Sequence, residues 1–406
     1  MLAVLWIFAL APAGDTWPEF NSFGGISQGG KAPTSWSETS NVRWKTPIHG
    51  KGWATPVLWK DQVWTATATE DGKQLSAVCV DRESGKIVHD LKVFDVSDPE
   101  FCHPTNSYAS CTPAIEEGRL YVHFGSYGTA CVDTKTGKTI WERRDLPCDH
   151  FRGPASSPIL WGGRLYINFD GVDVQYVVCL DAKDGHTIWK TDRSTEYGDV
   201  IGDMKKAYAT DDVIEVDGKK QLVAPGAVAT IAYDPESGKE LWKFRHGWMN
   251  AGCRPRFVDG VLYLNAGNDK NSLVALKMGR TGELGDEDVL WRTSRNAPQK
   301  GSVIVHNGMV FMAADNGIVS CVDAKTGKDY WRERASGKNF WSSPLLVDGK
   351  LYCASQEGQT LVFAADRTLK RLAVNTLDAG GNASPIHVGD SIYLRTRTHL
   401  YRLAEN

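Results

Sequence analysis

The sequence predicts an all-β chain folded as one eight-bladed β-propeller of four-stranded antiparallel blades. Three observations carry this. A turn signature recurs along the chain. A second signature, Ser/Thr-Pro followed by two short apolar strands, precedes each copy of the first. One strand with the repeat's tryptophan stands alone near the N-terminus, while the last repeat lacks its final strand. Self-similarity at about 40–55 residues is the size class of a propeller blade, and stacked units share one core despite the chain's 406 residues.

The turn signature is Asp-x-x-Ser/Thr-Gly-Lys-x-x-Trp. It occurs as Asp133 to Trp141, Asp234 to Trp242 and Asp323 to Trp331; Asp181 to Trp189 differs at two positions, and Asp81 to His89 replaces the indole with an imidazole. Around Lys277 to Trp291 the turn carries an insertion. Asp bonds to nearby backbone N–H groups and Gly accepts positive φ, so the element is a tight turn between antiparallel strands. The Trp then covers a large apolar area against the neighbouring unit. Two positions before the Asp the pattern wants a small residue, so Cys131, Cys179 and Cys321, together with Cys79, read as packing residues. Among the nine Cys, Cys102, Cys111 and Cys148 lie in connectors where a disulfide is an option.

The second signature begins at Thr55-Pro56, Thr112-Pro113, Ser157-Pro158, Arg254-Pro255, Ser343-Pro344 and Ser384-Pro385, with degenerate copies near Thr210 and Ser302. Proline is tolerated at the first residue of a strand because its missing N–H costs no ladder bond there. Units therefore start near Ala54, Cys111, Ser156, Ala209, Cys253, Gly301, Ser342 and Ala383. The last runs out at Leu403 after three strands. Asn41 to Lys45 has the strand and the Trp but no Asp turn, so it is expected to complete the last blade and close the ring, which leaves no open sheet array.

Residues 1–13 read as a secretory signal, an apolar Leu2–Leu10 run followed by Ala11-Pro12-Ala13, with no Cys after it for a lipid anchor. Residues 14–40 form an extension and 41–406 the propeller. The location expected is secreted or periplasmic. Net charge is −3, which gives no electrostatic case for nucleic acid, whose binding needs a clustered positive surface, and no later stretch is apolar and long enough to span a membrane.

These repeats resemble the pyrroloquinoline-quinone-like propeller superfamily with its tryptophan-docking motif, over Asn41 to Leu403. Two branches bear on function. The propellers of the outer-membrane β-barrel assembly machinery are non-catalytic, and this chain is similar to them in length and blade count. The quinoprotein alcohol dehydrogenases carry adjacent cysteines beside the quinone, and here no two Cys are adjacent; Cys-x-x-Cys-His is absent too. The resemblance therefore implies a monomeric binding or scaffold protein that engages a protein, peptide or glycan and needs no cofactor. A dehydrogenase holding pyrroloquinoline quinone and Ca²⁺ is the alternative.

Function in a propeller is grafted onto loops. The connectors from the outer strand of one blade to the inner strand of the next are long and chemically rich. They carry His103, His150, Arg152, Trp248, Asn250, Lys300 and Asn339, and just before the inner strands come Trp53, Arg254, Trp341 and Asn382. These residues are the expected binding set around the channel mouth: aromatic faces supply area, and Arg, Lys and Asn supply hydrogen bonds. Trp53 and Trp341 have a competing role as plugs of the channel. The histidines lack ligand spacing for zinc, and Asp170-Gly-Val-Asp173 and Asn265 to Asp269 match no full calcium loop.

Overall fold

The computed structural model describes residues 15–200, 202–247, 252–266, 272–335 and 339–405. The expected leader lies outside them. Eight sheets are arranged around the axis, each built on four antiparallel strands; in seven these run in sequence order from the axis outwards, the eighth takes its outer strand from the N-terminus, and two sheets carry a fifth strand. Blade 1 is built from Val57–Trp59, Gln62–Ala68, Gln74–Asp81 and Ile87–Asp95. The inner strands of blades 2 to 8 are Ala114–Glu116, Ile159–Trp161, Asp212–Val216, Arg256–Val258, Ile304–His306, Leu345–Val347 and Ile386–Val388. The outer strand of blade 8 is Val42–Pro47, which pairs antiparallel with His399–Leu403, Trp44 facing Arg402. One sheet thus holds both ends of the propeller.

The core is divided among the joints between blades rather than pooled. Tyr121 and Trp141 of blade 2, for example, pack with Leu165, Ile167 and Val178 of blade 3. The repeated Trp closes each regular joint in one way. The indole of Trp141 lies against Gly185 of the next blade's turn, where a Cβ would stand 2.6 Å from the ring, and its N–H donates to the Ala182 carbonyl at 3.1 Å. Trp189 repeats this on Gly238 and Pro235, Trp291 on Gly327 and Ala324, and Trp44 on Gly85 and Arg82. The turn glycine is therefore fixed twice, by its positive φ and by the indole.

All nine thiols are free, so the option of a bridge among Cys102, Cys111 and Cys148 is not taken up. Cys79, Cys131, Cys179 and Cys321 are buried, and burial raises each thiol above its ordinary value, as suits packing rather than reactivity.

The extension is not a loose leader to the fold. Thr16–Trp17 adds an inner strand to blade 1, against Leu58 and Trp59. The chain then visits the other inner strands in blade order. The Ile115 N–H donates to the Pro18 carbonyl at 2.8 Å, and the Leu160 N–H to the Glu19 carboxylate at 3.0 Å. Arg254 donates to the Phe20 carbonyl at 2.6 Å, Ile26 bridges to Leu346, and Ser27 Oγ meets His387 Nδ1 at 2.7 Å. Residues 16–27 thus run once around the channel wall and fill it. The plugging role expected of Trp53 and Trp341 falls to this segment, which the repeat pattern does not reach.

Candidate functional site

Above the plug, on the face of the long connectors, lies a cavity of about 330 Å³. All eight connectors contribute to it, and Phe20 of the plug lines it from below. Its aromatic walls are Trp53 and Trp341. Thr55, Thr112, Ser157, Thr210 and Ser384 line it where the inner strands begin.

Six of the expected binding residues meet here: Trp53, His103, Arg152, Lys300, Trp341 and Asn382. The Trp53 N–H donates to the Thr105 carbonyl at 3.2 Å, which fixes the ring's orientation. Arg152 Nε pairs with Asp203 at 2.8 Å, and the Tyr208 hydroxyl donates to the same carboxylate at 3.1 Å. Lys300 sits 4.9 Å over the Trp341 ring and 3.5 Å from Asp315. Asn382 accepts from the Gln356 amide at 2.6 Å.

The rest of the expected set is elsewhere. Arg254 does not stand at the mouth; it is buried under Phe20 and held by Glu19 and Asp212, both at 2.7 Å. Two carboxylates draw the guanidinium inwards because a buried charge must be paired. His150 is also withdrawn. It accepts the Ser126 N–H at 3.0 Å and lies 3.1 Å from the ammonium of buried Lys206. Burial and that neighbouring cation push the imidazole well below its ordinary pKa, so it is neutral. Asn339 is half-buried and does not line the cavity, its carbonyl accepting the Gln356 N–H at 3.0 Å. Trp248 and Asn250 lie outside the described residues. Asp170, in one of the acidic loops, is committed to Arg193 through bonds of 2.5 and 2.9 Å.

Sequence reading missed Phe20, Asn106, Tyr208, Gln299 and the ring of hydroxyls. The hydroxyls were within reach, since they are the Ser/Thr of the second signature. Phe20 was not, because nothing repeats in the extension.

The hydroxyls form a belt. The Thr55 N–H donates to Thr112 Oγ1 at 3.0 Å, the Thr112 N–H to Ser157 Oγ at 2.9 Å, and the Ser157 N–H to Thr210 Oγ1 at 3.1 Å. The series resumes from the Arg254 N–H to Ser302 Oγ (2.8 Å), then Ser302 to Ser343 and Ser343 to Ser384 (both 2.9 Å), and closes from Ser384 to Thr55 at 3.1 Å. It breaks between blades 4 and 5, where Arg254 stands in place of a hydroxyl.

A family model described as outer membrane protein assembly factor BamB matches residues 30–175 and 173–406. The chain belongs to this family. Among curated relatives, the BamB of Yersinia pestis is 24% identical over 62% of this chain and 60% of its own length. Tetrathionate hydrolase of Acidithiobacillus ferrooxidans is 25% identical over 59% of this chain and 48% of that protein. The chain therefore matches only about half to three fifths of these two relatives' lengths. The structure of BamB from Moraxella catarrhalis superposes with a TM-score of 0.62, at 13% identity, over 89% of this chain and 99% of that one. A europium-containing methanol dehydrogenase gives 0.68 at 12% identity, over 93% and 96%. At such identities the structures show the propeller fold and nothing finer.

Proposed function

We propose that the chain is an extracytoplasmic binding propeller, secreted or periplasmic, that holds a protein, peptide or glycan partner on its connector face. The observation that carries this reading is the cavity: two indole faces and a polar rim over a floor closed by the chain's own Phe20. A blind pocket of this kind anchors a protruding group, and the surrounding connectors supply the wider contact. The family's description as an assembly factor supports a protein partner.

The dehydrogenase alternative fits the residues poorly. Ca²⁺ takes six to eight oxygen ligands, usually with several carboxylates. Among the described residues lining the cavity the single carboxylate is Asp203, already shared by Arg152 and Tyr208. Among the described residues one cluster has metal-capable spacing, Asp181, Asp184 and His186, and it lies on a turn of blade 3, away from the cavity.

An array of immobilised peptides and glycans, probed with the wild type and with a Trp53→Ala/Trp341→Ala double variant, tests the reading. A subset of probes should retain the wild type and lose the double variant. Retention that ignores both indoles would sink it.

A further inference from the structure

The belt of hydroxyls has a chemical consequence for what enters the cavity. Each Ser or Thr in it accepts one backbone N–H from the preceding blade. That contact uses a lone pair and leaves the hydroxyl proton to donate. Among the described residues no acceptor takes the protons of Thr55, Thr112, Ser157, Thr210 or Ser384, and these are the five members that line the cavity. Just above Phe20 the pocket is thus ringed by hydroxyls that each keep a proton to donate and have one of two lone pairs already used. Arg152 and Lys300 stand above this collar. The lining carboxylate, Asp203, is held back by Arg152 and Tyr208.

A collar that offers donors selects a ligand that offers acceptors. A carboxylate presents two oxygens with about four acceptor sites and no donor, so it uses several hydroxyls at once, and hydrogen bonds to a charged acceptor are the stronger kind. An amide or ester brings fewer acceptor sites and no charge. Resting on the binding reading above, we propose that the collar captures a carboxylate carried by the partner, with Trp53 and Trp341 covering the residue or ring attached to it. The same chemistry has two sources, a free peptide C-terminus and a uronic acid, and the test separates them.

The probes are the tripeptide Gly-Phe-Phe as free acid and as C-terminal amide, and digalacturonic acid and its methyl ester. Each is titrated into the full chain with intrinsic Trp fluorescence and calorimetry as readouts. One acid should bind saturably, and its neutral counterpart should bind at least about tenfold more weakly. Which pair responds identifies the source. Thr112→Val should lower the affinity for that acid roughly tenfold and leave the neutral form unmoved, whereas Thr112→Ser should keep it. Thermal unfolding of both variants guards against a fold defect, since Thr112 also accepts the Thr55 N–H. Equal binding of acid and neutral forms, abolished by Trp341→Ala, would overturn the carboxylate and leave the cavity as a binding site. If no acid binds up to millimolar concentration while array partners still depend on the two indoles, the carboxylate again falls alone.

Discussion

The joint between blades 2 and 3 and the joint between blades 4 and 5 solve one problem by different chemistry. At the first, Trp141 docks on Gly185 and Ala182 at the rim, and the Thr112 N–H donates to Ser157 at the axis. At the second neither contact exists. Trp242 turns its N–H to Gln221 of its own blade at 2.7 Å, because the following turn carries the insertion. Part of that insertion, Gly282–Leu284, returns as a parallel strand along Trp242 to Phe244. At the axis Arg254 replaces the hydroxyl and reaches back to Asp212 of blade 4 and to Glu19 of the plug. The indole dock and the axial hydroxyl are thus exchanged for a borrowed strand and an ion cluster, while Trp242 and Phe244 still pack with Leu262 and Leu264 across the joint. A joint with a charged axis and one without respond to different insults.

The largest effect expected is at the charged joint. Arg254→Ala leaves Asp212 and Glu19 without their shared cation and should cost about 4 kcal/mol in urea unfolding. Trp141→Ala should cost about 3 kcal/mol by opening a cavity in the regular joint, with no dependence on salt. Equal salt dependence of the two losses would break the contrast. Gly185→Ala should cost about 2 kcal/mol, since its new methyl meets the indole as well as an unfavourable φ of +77°. Gly162→Ala, at φ +61° with open space around it, should cost about 1 kcal/mol, and the difference between the two isolates the indole contact.

The last effect is a slope, small over any one pH unit. Asp211 stands next to Thr210 at the charged joint, buried, with neither carboxylate oxygen hydrogen-bonded, and burial raises its pKa to about 8. An acid whose folded pKa lies above its unfolded value of about 3.9 holds its proton more tightly when folded. The resulting stability is complete below about pH 4 and is lost as pH rises through 8. Wild-type stability should therefore fall by about 1 kcal/mol per pH unit across that window, and Asp211→Asn should flatten the fall. Parallel pH profiles for the two proteins would show that Asp211 ionises freely.

The pattern of joints also explains what could be read early. Asp133 to Trp141 and its copies are local, so each one announces its turn, its outer strand and its docking residue in nine letters. Thr55, Thr112 and Ser157 were visible as strand starts but not as a belt, because a hydrogen bond between units is not written in either unit. His150 and Arg254 looked like mouth residues by position. Lys206 and Asp212, which draw them inwards, come from other connectors or blades.

Sequence alone determined the number of blades, the four-strand unit and the ring's closure by the strand around Asn41–Lys45, since a repeat must bury the same face each time it occurs. Only the tertiary structure decided that residues 16–27 fill the channel and that a donor-lined cavity remains above them. Those features arise where eight connectors and one unrepeated segment converge on an axis, and convergence leaves no period in the chain.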